Sequence, residues 1–164
     1  MLGLVMPAAG TGSRMGGVRK PFLELRGEPL LRHALRPFLE HPDFRTFVLA
    51  LREEDVLDPP GWVQELGPGV RLVKGGSSRG ESVWAALQAL PSGLDLVAVH
   101  DAARPLVTRA IIDGCIAAAG PGRGAVAGMP AVDTVKQVAE GGRISGTLQR
   151  STIWHAQTPQ VFPL

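Results

Sequence analysis

Residues 2–17, Leu-Gly-Leu-Val-Met-Pro-Ala-Ala-Gly-Thr-Gly-Ser-Arg-Met-Gly-Gly, pass from a short apolar run directly into a stretch of small residues. Leu2 to Met6 reads as a buried strand. Ala8 to Gly17 reads as a loop whose main-chain N–H groups can approach a ligand closely, because few side chains stand in the way. The same alternation continues downstream. Phe44 to Leu51, Val70 to Val73, Leu94 to His100 and Ala125 to Met129 are further apolar runs bounded by turn formers. Between them lie helix candidates: Pro29 to Glu40 opens with proline, Glu81 to Leu90 puts Val83, Leu87 and Leu90 on one face, and Thr108 to Ala119 starts at a capping threonine. Strands joined through helices define an α/β chain with a largely parallel sheet. Glu53 to Leu66 has no clear assignment, because Pro59-Pro60-Gly61 interrupts it.

The 164 residues suit one domain, taken as residues 1–164. With 45% hydrophobic residues, and Gly 21 and Pro 14 together near a fifth of the chain, the composition is that of a folded protein. Net charge is only +2, too little for a field that holds duplex nucleic acid by phosphate neutralisation, so a small anion is the expected partner. The one cysteine, Cys115, excludes an internal disulfide or a cysteine-built zinc site, and on an Ile/Ala-rich helix it reads as a small buried hydrophobe. No apolar run approaches the roughly 18–20 residues of a membrane span, and the first residues lack the basic lead of a signal peptide. A reducing cytoplasm is the expected location. Trp62, Trp84 and Trp154 read as packing groups, since basic residues do not interleave them.

From residue 131 to 149 the pattern changes. VDTVKQV and RISGTLQ flank AEGG, an antiparallel hairpin standing outside the crossover series. A two-stranded ribbon is barely stable alone, so this arm should pack on its own domain or on a second subunit.

The loop after the first strand reads as a phosphate cradle. No Gly-Lys-Ser/Thr closes it, and its G-x-G-x-x-x-G spacing is one residue too long for a dinucleotide fingerprint. Arg14 and Lys20 bring two cations to the same segment. A second turn, Lys74-Gly75-Gly76-Ser77-Ser78-Arg79-Gly80-Glu81-Ser82, offers backbone groups and hydroxyls at the sheet edge, either to read a base or as a simple connection. The strand ending in His100-Asp101-Ala102-Ala103-Arg104-Pro105 delivers a carboxylate to that edge. Asp101 either holds a divalent cation carried by phosphates or pairs with Arg104 to fix the turn. His100 reads as a hydrogen-bonded structural residue, and no nucleophile constellation is evident. Arg150 has the fork that grips a phosphate dianion.

Taken in order, PAAGTGSRMG with Lys20, GGSSRGESV, HDAARPLV, DTVK and TLQRSTIWHAQTPQVF closely resemble the signatures of the 2-C-methyl-D-erythritol 4-phosphate cytidylyltransferases, enzymes of non-mevalonate isoprenoid synthesis. The resemblance covers essentially every block of the chain. It implies a doubly wound nucleotidyltransferase core and a homodimer formed through a projecting β-arm, here 131–149. It implies transfer of CMP from CTP to methylerythritol 4-phosphate by in-line attack, with Mg²⁺ as cofactor and pyrophosphate as second product. By matching positions, Arg14 and Lys20 would be catalytic, gripping the triphosphate. Ala8, Ala9, Gly10 and Gly12 would form the nucleotide cradle, and Gly76 and Ser82 would recognise cytosine. Asp101 and Ala102 would bind nucleotide, with Asp101 also on the metal. Arg104, Thr134, Arg150 and Thr158 would contact the acceptor, Thr134 and Arg150 across the dimer.

Three departures accompany the resemblance. Arg19-Lys20-Pro21-Phe22 stands where the family commonly reads Pro-Lys-Gln-Phe, with the preceding stretch one residue short. Ser77 stands where some relatives carry an acid. Relatives also continue past the equivalent of Pro163, so a C-terminal segment is expected to be lacking here. Two other functions share parts of the pattern: a cytidylyltransferase for a pentitol phosphate such as ribitol 5-phosphate, and a nucleotide-binding dimer module without turnover.

Overall fold

The computed structural model of the chain describes residues 1–10 and 19–164. In chain order its elements begin with β1 (Leu2–Pro7), β2 (Glu24–Leu25), β3 (Glu28–Pro29), α1 (Leu30–Leu39), β4 (Phe44–Leu51), α2 (Glu53–Leu57) and α3 (Gly61–Gln64). There follow β5 (Val70–Lys74), α4 (Arg79–Gln88), β6 (Leu96–Val99), α5 (Arg109–Ala118), β7 (Ala125–Pro130), β8 (Lys136–Val138), β9 (Ile144–Thr147) and β10 (Trp154–Pro163).

Among the described residues, six strands form the main sheet in the order β5-β4-β1-β6-β10-β7. The pairs β5/β4, β4/β1 and β1/β6 are parallel, and β10 runs antiparallel to both its neighbours. Side chains alternate across the central strands. Leu4, Met6, Leu49 and Leu51 join Leu31, Leu35, Phe38 and Ile112 in one buried cluster that takes in α1 and α5. Val5, Val48, Ala50, Val97 and Val99 join Ala86 of α4 in a second, with Val83, Leu87 and Leu90 packed against it. Helices therefore cover both faces of the sheet, the doubly wound arrangement.

The helix boundaries follow local chemistry. Pro29 occupies the N-cap position of α1 without a side-chain hydrogen bond, and Thr108 caps α5 by accepting a hydrogen bond from the Ile111 N–H at 3.4 Å. In α4 the Ser78 hydroxyl accepts from the Glu81 N–H while the Glu81 carboxylate accepts from the Ser78 N–H, a reciprocal capping box. The uncertain 53–66 stretch resolves into α2 and α3, separated by the Pro59-Pro60 break.

Three sequence expectations need correction. Trp154–Pro163, outside the apolar runs named above, is a sheet strand between β6 and β7. Pro159 hid it, since proline inside a run argues against a strand; here it lies in a register shift between Ala156 and Gln160. Trp84 and Trp154, expected to pack, are mostly exposed, because Val83 and Leu87 supply the buried face of α4 and Trp154 opens β10 opposite Pro130. The hairpin is present but shorter than 131–149: β8 and β9 pair only with each other, joined by a turn in which Gly141 and Gly142 both have φ of +79°. Val132, Val138 and Ile144 are exposed on this arm. Cys115 is buried and free, as expected.

Candidate active site

Going from β1 the chain moves outward to β4 and β5, then returns through α4 to β6 on the opposite side of β1. Such a switch opens a crevice at the carboxyl ends of the two strands that flank it. A cleft of about 590 Å³ lies there. Ala8, Ala9 and Gly10 line it from the loop after β1, Lys20 from a short 3-10 turn, Gly76 and Ser82 from the β5–α4 turn, and Asp101, Ala102 and Arg104 from the loop after β6. Nine residues singled out in three separated stretches of sequence thus share one cavity. Gly12 and Arg14 lie outside the described residues.

The β5–α4 turn is held against the first loop by close packing. A Cβ on Gly75 would stand 2.5 Å from Ala9 Cβ and 2.8 Å from Ser82 Oγ, and a Cβ on Gly76 would stand 2.3 Å from Glu81 Cβ. Only glycine fits at either position without displacement. Ser82 is buried, and its hydroxyl accepts from the Gly76 N–H at 3.1 Å while lying 2.9 Å from the Ser78 carbonyl, to which it donates. Its side chain therefore shapes the turn. Glu81 is equally committed: hydrogen bonds from the Ser77 hydroxyl and backbone, then from the Ser78 N–H, hold its carboxyl below the usual range.

Asp101 carries the acidic charge of the cleft lining. Its Oδ1 accepts from Arg79 Nε at 2.9 Å and its Oδ2 from Arg104 Nε at 3.1 Å. Burial alone would raise this carboxyl, but the two guanidinium hydrogen bonds outweigh it and the pKa is lowered. The local pairing considered from sequence is therefore real, with Arg79 as an additional partner. Arg104 also bonds Gln157 through Nη1.

Behind this wall a small buried network fixes the loop. His100 Nε2 lies 3.1 Å from the Arg104 carbonyl, which can only accept, so Nε2 carries the proton. Nδ1 then accepts from the Thr158 hydroxyl at 3.0 Å, and Thr158 Oγ1 accepts from the Asp101 N–H at 3.2 Å. Thr158, expected to contact the acceptor, is buried beneath the loop and does not line the cleft. Thr134 and Arg150 also lie outside this cavity. Both are exposed, Thr134 just before β8 and Arg150 in a turn after β9, where its Nη1 donates to the Val132 carbonyl at 3.0 Å.

Burial pushes the His100 imidazole down to about 4, although its bond to the Arg104 carbonyl and the nearby Asp101 charge act the other way. The pH consequence has a definite sign. Unfolded histidine takes a proton near its ordinary value of 6.5 while the folded ring does not until about 4, so stability is full above 6.5 and declines as pH falls toward 4. Urea denaturation should give a protein about 2 kcal/mol less stable at pH 5 than at pH 7.5 from this group. A His100→Asn variant with the same slope between those pH values as the unaltered protein would rule the assignment out.

Sequence reasoning missed Gly75 and Arg79. The S-x-x-E spacing of Ser78 and Glu81 would have moved the start of α4 to Arg79 and brought that side chain to the edge of the loop. Gly75 had no local signal, since its constraint comes from Ala9, far away in sequence.

Among the described residues, no group of three or more His, Cys, Asp or Glu is arranged to hold a metal, and no helix is long and apolar enough to cross a membrane. Asp101, with its oxygens bonded to Arg79 and Arg104, is the one carboxylate among the described residues lining the cleft, and magnesium in general takes one or two carboxylates and completes its shell from phosphates and water.

A doubly wound sheet with a small-residue loop, a lysine, two arginines and one carboxylate lining the cleft at its switch point has the architecture of a nucleotidyltransferase. The comparisons narrow the class. The sequence profile of the 2-C-methyl-D-erythritol 4-phosphate cytidylyltransferase (IspD) family matches residues 2–164, and the chain belongs to this family. It is 46% identical to the 2-C-methyl-D-erythritol 4-phosphate cytidylyltransferase of Symbiobacterium thermophilum over 97% of its own length and 67% of that protein. The crystal structure of the Thermus thermophilus 2-C-methyl-D-erythritol 4-phosphate cytidylyltransferase superposes with a TM-score of 0.71 at 34% identity, covering 98% of this chain and 69% of the other. The 4-diphosphocytidyl-2C-methyl-D-erythritol synthase of Anaerococcus prevotii superposes with a TM-score of 0.82 at 24% identity, over 99% and 70%, and so shares the fold. The chain spans about seven tenths of the length of these proteins.

Proposed function

We propose that the cleft binds CTP and joins its CMP moiety to 2-C-methyl-D-erythritol 4-phosphate. One observation carries this reading: the backbone of Ala8 to Gly10, the Lys20 side chain, the Gly76–Ser82 turn and the Asp101–Arg104 loop line the same cavity. An oxygen of the acceptor phosphate forms a bond to the α-phosphorus of CTP. The bond from that phosphorus to the β-phosphate bridging oxygen breaks, and pyrophosphate leaves. Both reactants are anionic, so the protein's work is to align them and offset charge, and no base is required.

Lys20 stabilises negative charge at the α-phosphate, together with Arg14. The small-residue loop, Gly12 included, gives main-chain N–H groups to the phosphates. Gly76 and the turn built on Ser82 recognise cytosine through backbone groups. Asp101 is the residue that would hold Mg²⁺, which when bound would supply Lewis acidity toward the phosphates. Ala102 packs beside the ribose, and Arg104 faces the acceptor. Thr158 acts indirectly, by fixing the backbone of the Asp101–Arg104 loop from which Arg104 faces the acceptor.

The arm over 131–149 joins two chains and brings Thr134 and Arg150 to the acceptor of the neighbouring subunit. Its exposed Val132, Val138 and Ile144 support an interface. The pentitol-phosphate and non-catalytic readings are not favoured, since the family profile matches residues 2–164. The lone free Cys115 is in keeping with a reducing compartment, the cytoplasm.

Pyrophosphate release tests the reading. CTP with methylerythritol 4-phosphate should give product, and the other NTPs or ribitol 5-phosphate should give little. A mixture of Arg150→Ala and Lys20→Ala chains should recover part of the activity that each lacks alone. Release with ribitol 5-phosphate alone would replace the acceptor, and no recovery in proven heterodimers would place each site within one chain.

A further inference from the structure

Arg19 and Lys20 are adjacent cations, but only Lys20 lines the cleft. Arg19 turns into the body of the domain. Its Nη2 bonds the Asp55 carboxylate, its Nη1 lies 3.9 Å from Glu54 Oε1, and its guanidinium carbon lies 4.2 Å from the centre of the Phe22 ring. Asp55, on α2, is only 7% exposed. A carboxylate that far from water needs a partner, so the contact fixes Arg19 more firmly than a surface pair would. The backbone around Lys20 is closed on both sides: the Phe22 N–H donates to the Arg19 carbonyl at 3.0 Å, and the Leu23 N–H donates to the Lys20 carbonyl at 3.1 Å. Phe22 itself packs against the main core.

We propose that the Arg19–Asp55 pair is a positioning device for Lys20, tying the turn that carries it to α2 so that the ammonium group meets the α-phosphate. Proline, expected at residue 19 from the resemblance, would stiffen the same backbone through its ring. Here an ion pair to a buried acid takes that part. Arg19 does not touch the substrates in this account; it acts through its neighbour, and the inference rests on the assignment of Lys20 given above.

The test uses pyrophosphate release from CTP and methylerythritol 4-phosphate by Arg19→Met, Arg19→Lys and Asp55→Asn. Arg19→Met keeps an apolar stem on Phe22 but leaves Asp55 without its partner, so the double variant Arg19→Met/Asp55→Asn, which buries no unpaired charge, is measured beside it and is expected to show the same loss of kcat. A shift of the ammonium group by about 1 Å should lower kcat roughly 10- to 100-fold with the KM for CTP nearly unchanged, and Arg19→Lys should restore part of the loss. In a Lys20→Ala background, Arg19→Met should lower kcat no further. Full kcat in Arg19→Met, or losses that multiply in the double variant, would overturn the proposal while leaving the role of Lys20 intact. Full activity in Lys20→Ala alone would instead overturn the assignment on which it rests.

Discussion

Replacing Lys20 with alanine should lower the turnover of pyrophosphate release by roughly 10²–10³-fold while changing CTP affinity only a few-fold. The asymmetry follows from what holds each state. On the proposed reading, the ground-state triphosphate would rest on main-chain groups of the loop after β1 and on a bound metal, neither of which the substitution removes. In the transition state an additional oxygen approaches the α-phosphorus, and negative charge builds up between two anionic reactants. A positioned ammonium group gains most at that moment. Steady-state kinetics with calorimetric CTP binding separate the two effects. Turnover equal to that of the unaltered enzyme would remove Lys20 from the chemistry, and a loss confined to CTP affinity would reduce it to a binding residue.

Asp101→Asn should be nearly as damaging, with turnover falling roughly 10²-fold and half-saturation by Mg²⁺ moving to higher concentration. The amide keeps the size of the side chain but removes the charge that faces Arg79 and Arg104, at 2.9 Å and 3.1 Å. Two effects then act together. On the proposed assignment the metal would lose its carboxylate, and two guanidinium groups lose the charged partner that fixes their direction. The backbone of the loop should survive, because the Asp101 N–H still reaches Thr158 and the His100 network lies beneath it. An unchanged magnesium requirement would take the metal away from Asp101, and unchanged turnover would leave it a structural pair with the two arginines.

The legibility of this molecule in its sequence differed by the range of the interactions involved. Strands such as Phe44 to Leu51 were readable because an apolar run is a local property, and the same range appears in the structure. α5 was readable because Thr108 marks its start. β10 was hidden, since Pro159 contradicts a strand locally and only pairing with β6 and β7 overrides that. The cleft was legible as separate loops after strands, each rich in small or charged residues. Their convergence became visible only with the strand order, which puts β1 and β6 side by side. Thr158 shows the same limit from another direction. The resemblance puts it among the acceptor contacts, but its hydrogen bonds to His100 and Asp101 put it behind the loop after β6, outside the cleft lining. Arg79 and Gly75 depend on partners far away in the chain, Asp101 and Ala9, which no local pattern names.

A crystal structure with CTP and magnesium bound tests the central claim most directly. The account predicts the triphosphate against the backbone of Ala8 to Gly10, with the Lys20 ammonium group at the α-phosphate and cytosine in the Gly76–Ser82 turn. Nucleotide found elsewhere on the protein, or lying in the cleft with its phosphates turned away from Lys20, would contradict it.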